Sequence, residues 1–256
     1  MLLVSTTSFT WYWIHKIFSF VKQAEYDWLE LVLDKKNFDY WDWDYIKSLI
    51  DSFWVPVLSI RAPKRWLNEK LVDKIVKLAL HLKAQNVTFT PPHYRDKNVS
   101  WYLKYLAKVK RENYISISVV NVEPKFILFI IPEHKDATLI QIKRISWDTA
   151  LDISAIEHSS WMDILKAQKI LWSSMKNVYF SDTHGPRKNL LPGQSWGGTS
   201  FLPLESFLMK LKANSYNWFI TLDVAPKELW VWINERVLQN LEYFKNYYLK
   251  HFKWKK

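Results

Sequence analysis

The chain of 256 residues contains no cysteine, which excludes disulfide bonds and thiolate metal sites. Any metal ion must therefore have carboxylate, imidazole or carbonyl ligands. No apolar run approaches the ~18 residues of a membrane-spanning helix, and Met1 is not followed by the basic segment of a secretory signal peptide. These absences predict a soluble, cytoplasmic protein without a membrane partner.

Glycine is also scarce, since the chain has only four glycines beside 16 tryptophans. All four lie between residues 178 and 198, at Gly185, Gly193, Gly197 and Gly198. Glycine serves where the backbone needs a positive φ or passes close to another group. This concentration predicts a loop shaped for close approach, and the apolar run before it places that loop at the end of a strand.

The net charge is +11, which is compatible with a nucleic-acid or small anionic partner. The lysines are spread along helical segments, so a lysine-rich solvated surface is the simpler interpretation. Only residues 250–256 form a basic cluster, which we predict to be a tail at the end of the last helix.

Short β-like runs alternate with longer helical segments along the whole chain. Leu71, Ile75, Leu78 and Leu82 have helical spacing after a capping Asn68. The eight strand-helix units predict an α/β fold, a (β/α)8 TIM barrel in a single domain over residues 1–256. The rival is an open doubly wound sheet, but no GxGxxG follows the first strand. The predicted strands cover residues 1–5, 27–33, 55–60, 86–90, 114–122, 149–153, 177–181 and 218–224, and the apolar segment 125–132 is an extra strand or a turn.

Ionisable residues stand where these strands end, and barrel enzymes place their active sites at that edge. Arg61 ends the third strand, and His93 follows the fourth. Four carboxylates, on Glu123, Asp152, Asp182 and Asp223, belong to the last four strands. Such a cluster needs a cation or a shared proton, and a divalent ion with oxygen ligands is the simplest. Each carboxylate is also a candidate helix cap, Asp182 above all.

Seven short motifs together resemble the xylose-isomerase-like barrel superfamily, and the resemblance covers nearly the whole chain. This superfamily contains sugar and sugar-phosphate isomerases and epimerases, together with the endonuclease-four type of apurinic-site nuclease. The motifs are LVSTTSF, YDWLEL, VLSIRAP, VVNVEP, ALDIS, VYFSDTHG…LLPGQ and ITLDV, in chain order.

The resemblance implies a divalent ion, Mn²⁺, Mg²⁺ or Zn²⁺, held by residues after strands five to eight. Glu123 and Asp152 match the family pattern, and Asp223 takes the place of a longer Glu. Tyr179 stands where the family has a histidine, so His184 and Asp182 are the remaining candidate ligands nearby. Glu123 and Asp223 would act as acid and base on a sugar through an enediolate.

A small, anionic, sugar-like substrate is the predicted partner. Arg61, Lys125 and Arg187 are predicted to bind its charged group, with His93 and Tyr179 also in the site. Two alternatives stay open. The barrel can bind a ligand or partner without metal or catalysis, since the strand-seven histidine is missing. It can also bind nucleic acid, although most histidine positions of the nuclease subfamily are filled by other residues here.

Overall fold

Eight parallel strands close into a barrel in the computed structural model of the chain. The structure describes residues 1–34, 37–65, 67–95, 99–156, 163–194 and 202–252. The closed order of eight parallel strands confirms the predicted single-domain (β/α)8 barrel. The barrel strands are β1 (Leu2–Ser5), β2 (Trp28–Val32), β3 (Val57–Arg61), β4 (Asn86–Phe89), β5 (Ser116–Val120), β8 (Asp148–Asp152), β9 (Met175–Phe180) and β12 (Phe219–Leu222).

Helices connect consecutive barrel strands and pack around the outside. Asn68 caps the third helix as predicted, because its side chain accepts a hydrogen bond from the backbone N–H of Leu71 at 2.9 Å. The fifth helix begins with a capping box between Thr138 and Gln141. The helices are α1 (Ile14–Gln23), α2 (Trp43–Phe53), α3 (Glu69–His81), α4 (Val99–Asn113), α5 (Leu139–Ser146), α6 (Ile164–Leu171), α7 (Leu204–Ala213) and α8 (Asn234–His251).

Side chains alternate between the helices and the barrel interior. On β2, Leu29 and Leu31 are buried in the main apolar cluster, whereas Glu30 between them hydrogen-bonds with side chains of other barrel strands. This period of two is inherent in the pleated strand. The apolar core therefore lies mainly between the sheet and the helices.

The barrel interior is largely polar, although branched apolar residues commonly fill such interiors. The amide of Asn86 on β4 donates to Thr88 at 2.9 Å and to Ser59 at 3.3 Å, and its oxygen accepts from Ser118 at 2.6 Å. Because buried polar groups are costly unless hydrogen-bonded, this network holds neighbouring strands in a defined arrangement.

Two hairpins lie outside the barrel sheet. Segment 125–132, predicted as an extra strand or a turn, forms a hairpin from β6 (Phe126–Ile127) and β7 (Ile131–Pro132). The start of the glycine-containing loop forms a second hairpin from β10 (Asp182–His184) and β11 (Arg187–Leu190). Gly185 has a φ of +57° at its turn, whereas Gly197 and Gly198 lie outside the described residues.

The predicted basic tail, residues 250–256, begins inside a helix. Helix α8 continues through Lys250 to His251, and residues 253–256 lie outside the described part of the chain. Within the described ranges, no helix has both the length and the apolar character needed to cross a membrane.

Candidate functional site at the barrel mouth

Two adjoining cavities, of ≈ 920 and ≈ 830 Å³, open at the carboxyl end of the barrel strands. Both have room for a small ligand. The two cavities share a set of lining residues made of Arg61, Lys64, Arg65, Asn189 and Asp223. We call the two together the mouth.

Arg61, the last residue of β3, lies at the centre of the mouth and is only 7% exposed. Its Nη1 donates to Oδ2 of Asp223 at 2.9 Å. Its guanidinium carbon lies 3.5 Å from the centroid of the Tyr179 ring, a cation–π contact. The other carboxylate oxygen of Asp223 accepts a hydrogen bond from Thr7 at 2.6 Å. Arg61 and Asp223 are thus fixed by each other, by Tyr179 on β9 and by Thr7 in the connection after β1.

Glu30 lies close to Arg61 and is fully buried. Its Oε1 accepts hydrogen bonds from Tyr179 at 2.9 Å, Ser59 at 3.1 Å and Asn177 at 3.2 Å. Its Oε2 lies 3.8 Å from Nε of Arg61. The guanidinium is therefore placed between two carboxylates, so a fixed cation already lies among these acidic groups.

Burial raises the pKa of Glu30, and the charge of Asp223 adds to this, although Arg61 opposes both. For Arg61, burial by itself lowers the pKa, but Asp223, Tyr179 and Glu30 hold that pKa well above its ordinary value. Arg61 therefore stays charged, and Glu30 takes up a proton more readily than an exposed glutamate does.

Glu123 lies at the solvent side of the larger cavity and has a different environment. Its carboxylate contacts Nζ of Lys188 at 2.7 Å and Nζ of Lys125 at 3.4 Å. Partial burial by itself raises the pKa of Glu123, but the two lysines lower it below its ordinary value. Glu123 is therefore an ionised, lysine-paired group at the rim.

Asp152 lines the same cavity from the end of β8. Its Oδ1 accepts hydrogen bonds from the backbone N–H and the hydroxyl of Ser154, at 2.9 and 2.8 Å. Burial and then the charge of Asp223 raise the pKa of Asp152, against the lowering effect of Arg61. Three of the predicted carboxylates, Glu123, Asp152 and Asp223, thus line one cavity.

Asp182 and His184 do not line either cavity of the mouth. Asp182 is fully buried, and its carboxylate accepts from the backbone N–H groups of Thr183, Gly193 and Leu202. This carboxylate stabilises the loop after β9, and none of the three amides lies in the first turn of a helix. His184 ends β10 and is half-buried.

The predicted substrate-binding residues fall into different places. Arg61 and Lys125 line the larger cavity, and Tyr179 lies fully buried against Arg61. His93 is buried beside His134, 3.9 Å from the carboxylate of Glu133, and does not line the mouth. Arg187 is likewise outside the lining and contacts Glu228 at 3.6 Å.

The five predicted metal ligands do not form one ligand set in this structure. Asp223 is held by Arg61 and Thr7, Glu123 by lysines and Asp182 by backbone amides. Across the residues that the structure describes, no group of three or more histidine, aspartate or glutamate side chains is arranged to hold a metal ion. These residues as placed do not fit a metal centre, and a metal requirement stays a prediction.

Residues outside the predicted site also contribute to the mouth. Lys64 lines both cavities, Lys188 and His134 line the larger one, and Thr7 contacts Asp223. Lys64 lies three residues after the end of β3, so its position in the sequence is sufficient to predict a place at the carboxyl end of the barrel. Nothing in the sequence placed Thr7, in the first strand-to-helix connection, beside a residue 216 positions away.

No protein-family profile matches the chain, and no curated protein matches its sequence. The structure is nevertheless similar to solved structures over nearly its whole length. A xylose isomerase domain-containing protein from Salmonella typhimurium LT2 is 16% identical, with a TM-score of 0.69 and 97% of each chain covered.

Two further structures have different described activities. A D-psicose 3-epimerase from Clostridium cellulolyticum H10 is 11% identical, with a TM-score of 0.67 and 99% of each chain covered. An AP endonuclease of family 2 from Brucella melitensis is 12% identical, with a TM-score of 0.70, covering 96% of this chain and 98% of that one. At such identities the similarity concerns the fold, so the chain has the fold of the xylose isomerase-like barrels.

Proposed function

We propose that the mouth binds a small hydroxylated anion, such as a sugar acid or a sugar phosphate, without needing a divalent metal ion. The observation that carries this proposal is the position of Arg61. Its guanidinium lies within the cavity lining, held by Asp223 and by the Tyr179 ring. It supplies a fixed positive charge among the mouth carboxylates, which is the electrostatic task that a metal ion performs elsewhere.

Lys64 is the residue that we propose to bind the ligand's negative charge. It lines both cavities and is exposed. Whereas Lys188 contacts Glu123 and Arg65 contacts Glu133, Lys64 forms no ion pair with another residue of the described ranges. An anion at Lys64 therefore gains a partner without displacing an existing one.

The rest of the lining suits a ligand with hydroxyl groups. Thr90, Asn121, Ser154 and Asn189 place hydroxyl and amide groups around the larger cavity, and Asp152 adds a carboxyl group with a raised pKa. Such groups both donate and accept hydrogen bonds, which is what a polyol requires. The similarity in fold to a D-psicose 3-epimerase supports a ligand of this class.

Titration calorimetry with a panel of sugar phosphates, sugar acids and the matching neutral sugars tests the proposal. We expect the charged compounds to bind and Lys64→Met to weaken them about tenfold, as the loss of one charge-assisted hydrogen bond does. Lys210→Met on α7, outside the mouth, is the matched control and should bind like the wild type. Equal affinities for all three proteins would contradict the role of Lys64.

A metal-dependent isomerase or epimerase is the second candidate, because Glu123, Asp152 and Asp223 line one cavity. In that case Asp223 must leave Arg61 and Glu123 must leave Lys188. The same titration with and without EDTA separates the two candidates. Affinity that is unchanged by EDTA supports a metal-free site, whereas binding that disappears with EDTA and returns with Mn²⁺ supports the isomerase.

A further inference from the structure

The hairpin formed by residues 126–132, which we call the apolar hairpin, exposes a continuous apolar segment. Leu128, Phe129 and Ile130 are 79%, 96% and 81% exposed, and Phe126 and Ile131 are also exposed. Single exposed apolar residues are normal on a protein surface, but a contiguous run marks an interaction site. No polar side chain interrupts the sequence from Phe126 to Ile131.

The backbone at the tip of the apolar hairpin is unfavourable for its residues. Leu128 and Phe129 have φ values of +50° and +61°. They are the central residues of a β-turn closed by the hydrogen bond from the backbone N–H of Ile130 to the carbonyl of Ile127 at 3.2 Å. Turns with positive φ at both central residues normally carry Asn, Asp or Gly there, because larger side chains are strained. Strained positions of this kind cluster at functional sites. The turn therefore holds two large apolar side chains at the most exposed point of the hairpin.

The base of the apolar hairpin is fixed to the mouth. The backbone N–H of Glu133 donates to the carbonyl of Lys125 at 2.7 Å, and its side chain contacts Arg65 at 2.6 Å. The backbone N–H of Tyr94 donates to the carbonyl of Glu133 at 2.9 Å. Because the base is held and the tip is exposed, the hairpin presents its tip away from the barrel.

Exposed cations surround this base, namely Arg65, Arg95, Lys125 and Lys135. Nearby acidic groups are partly neutralised, Glu133 by Arg65 and Glu123 by lysines. We call these four cations the basic collar. An apolar tip beside a basic collar, on a chain of net charge +11, is complementary to an anionic lipid surface. A second copy of the chain would instead bring two basic collars together.

We propose that the apolar hairpin inserts its tip into the interface of an anionic lipid bilayer, with the basic collar at the headgroups. Transfer of the apolar tip from water into the bilayer interface contributes favourable binding free energy. The cations of the collar favour anionic over neutral lipid. Such peripheral binding needs no membrane-spanning helix. The mouth would then face the membrane surface, with its ligand reached from that side.

Vesicle flotation tests this proposal, with phosphatidylcholine vesicles that contain or lack phosphatidylserine. We expect the wild type to bind the phosphatidylserine vesicles and Phe129→Asp to bind them at least about tenfold more weakly. Tyr114→Asp is the matched control, since Tyr114 is an exposed aromatic residue with a positive φ at the opposite end of the barrel. It should bind like the wild type.

Absence of wild-type binding to either vesicle, or equal binding by Phe129→Asp, would overturn the proposal. A concentration-dependent dimer in light scattering that Phe129→Asp abolishes would assign the apolar hairpin to self-association instead. Because the chain has no cysteine, Phe129→Cys gives a single labelling site. An environment-sensitive dye there should shift to the blue on phosphatidylserine vesicles.

A second inference follows from the tryptophans. The chain has 16 tryptophans and four glycines, whereas ordinary usage of ~7% would give about 18 glycines. Trp54 and Trp147 occupy the left-handed positions that end α2 and α5, with φ values of +58° and +66°, and Trp230 has a φ of +56°. Glycine is the residue that usually ends helices in this way.

Packing does not explain Trp54 and Trp147, whereas Trp230 is 48% exposed and its ring contacts that of Trp232. The side chains of Trp54 and Trp147 are 82% and 73% exposed, so little burial offsets the left-handed backbone. Trp13 caps α1 without a side-chain hydrogen bond and is also exposed, at a position where glycine is acceptable. In the described part of the chain, three of the eleven non-glycine residues with positive φ are tryptophans, so part of the tryptophan excess lies at positions that favour glycine.

We infer that the protein made in its own cell carries glycine at Trp54, Trp147 and Trp230, because UGA codons are read there as glycine. At these three positions the change lowers the number of tryptophans from 16 to 13 and raises the number of glycines from four to seven. Tandem mass spectrometry of peptides from the protein isolated from its source cells tests this inference. Glycine masses at residues 54 and 147 are expected, and tryptophan at either position overturns it.

Discussion

Asp223 and Glu123 line the same cavity, yet their surroundings differ. Asp223 is buried, receives hydrogen bonds from Arg61 and Thr7, and belongs to a cluster that includes the fully buried Glu30. Glu123 is partly exposed and is neutralised by Lys125 and Lys188. The centre of the mouth is thus a fixed ionic cluster, whereas the rim consists of solvated pairs.

This contrast determines how replacements act. Breaking a buried ion pair leaves a charge without solvent or partner, which is strongly destabilising. Breaking a solvated pair returns both groups to water at little cost. Variants of the centre should therefore alter the stability of the barrel, and variants of the rim should alter ligand binding while the fold persists.

The largest expected effect is that of Arg61→Met. We expect the free energy of unfolding at neutral pH to fall by about 3–5 kcal/mol, because Glu30 and Asp223 lose their shared cation. Urea unfolding followed by circular dichroism measures it. Lys188→Met at the rim should cost less than ~1 kcal/mol. Similar losses in the two variants would remove the distinction between centre and rim.

Tyr179→Phe should have an intermediate effect. It removes the hydroxyl that donates to Glu30 at 2.9 Å but leaves the ring against Arg61 and the bonds from Ser59 and Asn177. A loss of ~1.5 kcal/mol in the free energy of unfolding is expected for one hydrogen bond to a buried carboxylate. Tyr105→Phe, which removes an exposed hydroxyl bonded to Asp73, is the control. An equal loss there would show that burial does not matter.

The pH dependence of stability should differ in sign between the two regions, and Glu30→Gln reports on the centre. The pKa of Glu30 is raised by burial, so the folded state binds its proton more tightly than the unfolded state does. The stability of the wild type relative to Glu30→Gln should therefore fall as the pH rises through the folded-state pKa. Urea midpoints over a pH series measure this difference, and a difference that rises with pH would contradict it.

Glu123→Gln should show the smallest effect, with the opposite sign. Lys188 and Lys125 lower the pKa of Glu123 against partial burial, so its ionised form favours folding. The wild type should have its small advantage above the ordinary pKa of glutamate and lose it as the pH falls through the folded-state value. The same urea series reports it. A wild-type advantage that grows at low pH would place Glu123 in a setting like that of Glu30.

Much of the fold was predictable from the sequence because its signals are local. The ends of the predicted strands lie within two residues of the observed ones, and the Asn68 cap was identified from its residue type and position. The site was predictable in part. The positions of Arg61, Glu123, Asp152 and Asp223 after their strands placed them at the mouth, because parallel strands in a barrel end at one edge.

Segment 125–132 shows where local signals end. Its composition fits a strand or a turn equally well, and it forms a short hairpin fixed to the mouth through Glu133 and Arg65. His93 and Arg187 also follow strands in the sequence but do not line the cavities. Position after a strand thus predicts the end of the barrel on which a residue lies, but not the direction of its side chain.

The sequence by itself determined the closed barrel and the set of ionisable residues at its mouth, because strand and helix periodicities are encoded over a few neighbouring residues. Only the tertiary structure decided which charges meet. Arg61 and Asp223 are 162 residues apart in the chain, and Tyr179 and Glu30 are 149 apart. Coulomb interactions and hydrogen bonds depend on distance in space, so it was barrel closure that gave Asp223 an arginine and Glu123 two lysines.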